Sequence, residues 1–169
     1  MNRVCGSCTL CCKLLPVHDN WVVPPMHKGG GERCRHQFSG GCRVYRQPSL
    51  FPACCGLWSC RWLNGDAEHV KRPDRSHYVI DALPDKLVIE DHVTGQQTGM
   101  PALQVWVDPA FKDAWQDPDL LAYIEAKGMA ALLRWNSKDA DVLVPPALTA
   151  SGKWEVVSSN LIQKFPLTP

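Results

Sequence analysis

Apolar and polar positions settle into regular periods only beyond the first third of the chain. Tyr78-Val79-Ile80 and the run 86–91 alternate on either side of Pro84-Asp85, the pattern of two strands joined by a turn. Ala102–Val107 (ALQVWV) reads as another strand. Asp117-Pro118-Asp119 opens a predicted helix: the aspartate caps it, the proline suits its first turn, and Leu120, Leu121 and Ile124 form the apolar stripe. Lys127 stands in its last turn and Gly128 ends it. Residues 130–135 and 141–144 flank Asn136-Ser137-Lys138-Asp139, a second hairpin signal, and residues 153–157 supply a last strand. Helix is the alternative for 130–135, because AALLRW contains good helix formers.

The front of the chain has no such period. Pro16, Pro24, Pro25, Gly29-Gly30-Gly31, Gly40-Gly41, Pro48 and Pro52 break regular elements and leave room for short helical turns over 8–14 and 52–62. The chain therefore divides into a loop-rich segment, 1–64, and an α+β segment, 65–169, packed as one unit. The expected fold is α+β, a cysteine-bearing front on a small antiparallel sheet with one or two helices. No internal repeat is visible.

Composition narrows the class. A chain of 169 residues can bury a core without covalent staples. Its net charge of +1 gives no reason to expect a nucleic-acid partner. No run approaches the ~20 apolar residues of a membrane span, and residues 1–15 lack the apolar core of a secretory signal. The cytoplasm is the expected compartment, and thiols there stay reduced.

Nine cysteines change the picture, because all lie between Cys5 and Cys60. Core-filling cysteines would be scattered; ligands for a local centre would cluster. An odd number cannot pair fully as disulfides within one chain. Cys5, Cys8, Cys11 and Cys12 follow C-x2-C-x2-C-C, which can set three thiolates around one centre. A four-iron cluster asks for that arc plus a fourth ligand, and zinc could use the same residues. Cys11 and Cys12 are adjacent, so their side chains diverge and only one is expected to join a given metal. Cys34, Cys42, Cys55 and Cys60 complete the candidate metal ligands. These thiols suffice for two four-ligand sites or for one site plus spares. Cys54, beside Cys55, fits the reading of a small buried hydrophobe.

CGSCTLCC, then GCRVY, then PACCGLWSCRWL resemble the YkgJ-type cysteine-cluster proteins, a family defined by a zinc- or iron-chelating CxxCxxCC domain. Cys5, Cys8, Cys11 and Cys12 match its first block, and Cys34 falls at its middle cysteine. Gly41, Cys42, Val44 and Tyr45 match the second block; Pro52, Cys55, Trp58 and Cys60 match the third. Phe51 and Gly56 stand where the family carries arginines, and Cys54 is extra. The resemblance covers about the first third of the chain and implies metal chelation without a settled reaction.

An iron–sulfur cluster, of the 4Fe-4S type, is the first choice over zinc. The run CxxCxxC is closer to cluster-binding segments than to separated zinc knuckles, and Cys55 and Cys60 are four residues apart rather than two. His18, His27 and His36 are further possible ligands, with a solvent-facing loop position as the plainer reading. Trp58 and Trp62 are expected to shield the centre from water. Asp81, Asp85 and Asp91 read as turn residues, and Lys71, Arg72 and Arg75 as a solvated basic patch. No phosphate-cradling loop or nucleophile motif occurs, so no catalytic residue is assigned.

Three roles remain open at this point. In the first, the metal serves redox chemistry, metal handling or maturation of a partner. In the second it is a structural knot in a binding or assembly protein, such as a subunit of a phage-like particle, and in the third the centre of a metalloenzyme. The expected partner is another protein, and the oligomeric state is left open.

Overall fold

Five strands form one sheet, named below in their order across it, and the chain's apolar alternation decides what covers each face. They are β3 (Tyr78–Ala82), β6 (Ala102–Val107), β7 (Ala130–Arg134), β8 (Ala140–Val144) and β9 (Glu155–Ser158). The computed structural model describes residues 3–18, 26–47, 49–83, 86–90 and 94–158, without the side chains of residues 89 and 90. The fold is α+β, with short elements α1 (Leu10–Leu14), β1 (Gln37–Phe38), β2 (Gly41–Cys42), α2 (Ala53–Leu57) and α3 (Pro73–Ser76) ahead of the sheet.

The sheet is mixed rather than antiparallel as expected. β6 and β7 run parallel, while the other three pairings are antiparallel. The reason lies between them: α4 (Pro118–Lys127) carries the chain back across the sheet, and a parallel pair needs such a crossover. The hairpin expected between 78–80 and 86–91 does not form either. β3 pairs with β6, and β4 (Leu87–Glu90) pairs with β5 (Gln97–Met100) as a separate ribbon. Pro84, Asp85 and Asp91 lie outside the described residues.

Strand periodicity sorts side chains onto two faces. Tyr78, Ile80, Leu103, Val105, Val107, Ala131, Leu133 and Leu143 pack with Leu120 and Ile124 of α4. The helix forms as read: the Asp117 carboxylate accepts the Asp119 N–H, Pro118 occupies the first turn, and Gly128 adopts φ 61° to close it. β7 and β8 form the second hairpin, so Ala130–Arg134 is strand rather than helix, with Trp135 just past its end; its side chains are buried on both sheet faces. Among the described residues, no helix is long and apolar enough to cross a membrane.

The opposite face of β3 and β6 receives the front of the chain. Val79 and Trp106 pack against Leu10, Leu14 and Cys60. The glycine run makes this approach close. A Cβ at Gly30 would stand 2.6 Å from the Trp106 ring, and the Gly30 N–H donates to Ser137 Oγ at 2.6 Å. Gly31 has φ +80°, and its N–H reaches the Leu14 carbonyl at 2.7 Å. The Lys13 ammonium contacts the Asp108 carboxylate at 2.7 Å, tying α1 to the end of β6.

Candidate metal centre

The Cys5–Cys8 segment is a tight turn, closed by the Cys8 N–H on the Cys5 carbonyl at 2.9 Å. Gly6 supplies its left-handed residue at φ 54°. Arg3 ties this turn to the 62–68 loop by donating to the Trp62 carbonyl at 2.8 Å and the Ala67 carbonyl at 3.2 Å. That tether carries the turn toward Cys60. The helix α1 follows at once, with Leu10 and Leu14 inward. Pro16 ends it by forcing Leu15 extended, at ψ 143°.

Cys8, Cys11 and Cys60 share one apolar cluster with Leu10, Leu14, Val79 and Trp106, and Trp58 and Trp62 pack against it. Trp58 is held there by Asp81, whose Oδ2 accepts the indole N–H at 3.0 Å. Asp81, expected only as a turn residue, lies in β3, and burial pushes its carboxyl pKa up. Arg72 likewise proves more than a solvated patch. Asp74 grips it at 2.6 Å, and it reaches Ser7 at 3.5 Å, inside the Cys5–Cys8 turn.

A second neighbourhood gathers around Cys12. The Cys34 N–H donates to the Cys12 carbonyl at 2.9 Å, and the Gln37 N–H to the Cys34 carbonyl at 3.0 Å. β1 and β2 then place Cys42 opposite Gln37. The Gln37 amide also donates to Thr9 Oγ1 at 2.8 Å, which fastens this hairpin to the start of α1. Cys34 and Cys54 pack beside Val17 and Met26, and the sulfurs of Cys54 and Cys55 are 3.9 Å apart on α2.

Lys28 was not legible as a site residue. It is 4% exposed, and its ammonium donates to the carbonyls of Leu15, Lys13 and Gly29. Burial lowers its pKa, while the Cys34 and Cys12 thiolates, when charged, act in the opposite sense. The Cys12 pKa falls to about 7, first through a hydrogen bond from the Cys11 thiol and then, against burial, through the Lys28 charge. Cys11 moves well up as the donor of that bond, with burial adding to it. Burial also raises Cys5, Cys8, Cys42 and Cys60, and pushes Cys55 up to about 12 with Cys54 contributing.

Comparisons with family models, with curated proteins and with solved structures find no match for this chain.

All nine cysteines are free thiols, and of them only Cys60 is buried, at 7% exposure. Among the described residues, no three or more Cys, His, Asp or Glu side chains stand together as a group that could hold a metal ion. The sulfurs share neighbourhoods rather than a common point. The donor set nonetheless fits a thiolate-bound centre in kind and number, since soft thiolates suit zinc and iron–sulfur clusters alike. Ligand convergence is commonly completed only when the metal arrives. Of the histidines, His18 and His27 stack edge-on at 6.4 Å, and His36 accepts from Arg35 at 3.3 Å. Two surface grooves, of about 680 and 550 Å³, run beside Trp135 and beside His77, and neither is lined by a cysteine.

Proposed function

We propose that this chain is a metal-binding protein that holds an iron–sulfur cluster through its front cysteines, in a redox, metal-handling or partner-maturation role. One observation carries the reading: nine unpaired thiols are confined to residues 5–60, a stretch whose described elements are all short. The resemblance of the three cysteine blocks to the YkgJ-type family supports it. So does the electrostatic setting, because burial penalises bare thiolates and a bound cation relieves that penalty. Cys5, Cys8, Cys11, Cys12, Cys34, Cys42, Cys55 and Cys60 are the proposed ligands. The bound centre would supply electron transfer if it is iron–sulfur, and cross-linking of the lobe if it is zinc.

A structural metal knot is the second reading, favoured by how little regular structure the lobe has. Its helices α1 and α2 span 5 residues each, and its hairpin has 2 residues per strand. Metal bonds would then provide folding free energy directly. Anaerobic purification with visible absorption spectroscopy separates the two. A brown protein with labile sulfide supports the first reading, and a colourless zinc protein the second.

A further inference from the structure

Resting on the metal-binding reading above, we infer that the cysteines form two separate four-thiolate centres, divided at Cys11 and Cys12. Cys5, Cys8, Cys11 and Cys60 make the first; Cys12, Cys34, Cys42 and Cys55 make the second.

The division follows from helix geometry. Side chains on an α-helix step by about 100° per residue. Leu10 and Leu14 mark the side of α1 that faces the sheet. Cys12 therefore points about 180° from the midpoint between them, while Cys11 lies on their flank. Cys11 packs beside Cys8 and Cys60 in the cluster under Trp106 and Val79. Cys5 joins them through the turn closed on its own carbonyl by Cys8.

Cys12 faces the other set, with its sulfur touching the Cys11 thiol at the boundary between the two. Its carbonyl holds the Cys34 N–H, the 34–37 turn leads into the hairpin that bears Cys42, and α2 brings Cys55 in alongside Cys54, which packs next to Cys34. Each set also has its own cation. Arg72 reaches into the Cys5–Cys8 turn, and the Lys28 ammonium sits on the carbonyls just after Cys12. A four-thiolate zinc or oxidised 4Fe-4S centre carries net negative charge, so a fixed cation beside each stabilises it. The surroundings differ: the first set lies under three tryptophans, Trp58, Trp62 and Trp106, whereas the second includes the exposed Cys55. The second centre therefore exchanges metal faster.

The test reconstitutes the full chain anaerobically with ferrous iron and sulfide, and in parallel with zinc alone. The wild type takes up about eight iron and eight sulfide, or about two zinc. Cys8→Ser and Cys34→Ser each keep half, and the double variant keeps none. A chelator releases wild-type metal in two phases, and Cys34→Ser lacks the fast one. Wild-type uptake of a single centre, or complete loss of metal in folded Cys34→Ser, overturns the division but leaves metal binding standing. Absence of any uptake by the wild type overturns metal binding itself. If Cys8→Ser fails to fold, Cys34→Ser decides alone.

Discussion

Gly30→Ala tests how tightly the cysteine lobe is keyed to the sheet. An added Cβ would stand 2.6 Å and 2.8 Å from two carbons of the Trp106 ring and 3.0 Å from Ser137 Oγ. Contacts that short force something to move. Trp106 is 3% exposed and packed with Leu10, Leu14, Val79 and Cys60, so moving its ring disturbs those neighbours. Ser137 accepts the Gly30 N–H, so displacing it also strains that bond. Overpacking of this kind costs about 1–3 kcal/mol, which for a chain of this length is roughly a 2–12 °C loss in Tm. Urea denaturation followed by tryptophan fluorescence measures it, with Trp106→Leu and the double variant completing a cycle. The double variant loses less than the sum of the singles by more than about 0.5 kcal/mol, because the smaller side chain admits the methyl group. A Gly30→Ala cost below about 0.5 kcal/mol, or additivity of the two changes, refutes the contact.

Ile124→Ala removes a fully buried side chain from the contact between α4 and the sheet, and lowers unfolding stability by about 2–5 kcal/mol in chemical denaturation. Asp66 predicts a pH effect. Its carboxyl is held below the ordinary aspartate range by hydrogen bonds from Lys127 and then Tyr123, with the Arg61 charge adding to them. A depressed pKa contributes stability that is full above the unfolded-state value and is lost as pH falls through the folded-state value. Asp66→Asn is thus less stable near neutrality and shows a flatter fall in urea midpoint below about pH 4. Cys54→Ala leaves metal content near wild type, whereas Cys5→Ala lowers it and loosens residues 3–18 in hydrogen exchange. Equal loss in both variants would contradict the assignment of Cys55 over Cys54.

What could be read from the sequence was local. Asp117, Pro118 and Gly128 mark the ends of α4 by chemistry that acts within a few residues, and the structure keeps both ends. The partner of β3 was not local. Pro84-Asp85 signalled a turn, yet β3 pairs with β6, beyond the β4–β5 ribbon, because the register of two alternating strands is set by which faces are buried. The parallel pair was latent in the order strand, helix, strand of β6, α4 and β7. In the front segment, spacing identified the thiols but not what surrounds them. Lys28 stands alone in a proline- and glycine-rich stretch, and only the folded carbonyls of Lys13, Leu15 and Gly29 reveal it as a buried cation. Gly30 and Gly31 likewise show their purpose only once Trp106 and Leu14 lie beside them.

Metal and acid-labile sulfide content of the full chain, purified without oxygen and read beside its absorption near 400 nm, tests the central claim most directly. Stoichiometric iron and sulfide with a broad charge-transfer band is the predicted result. A chain that folds to the same stability with no bound metal, its nine thiols all open to alkylation, contradicts it.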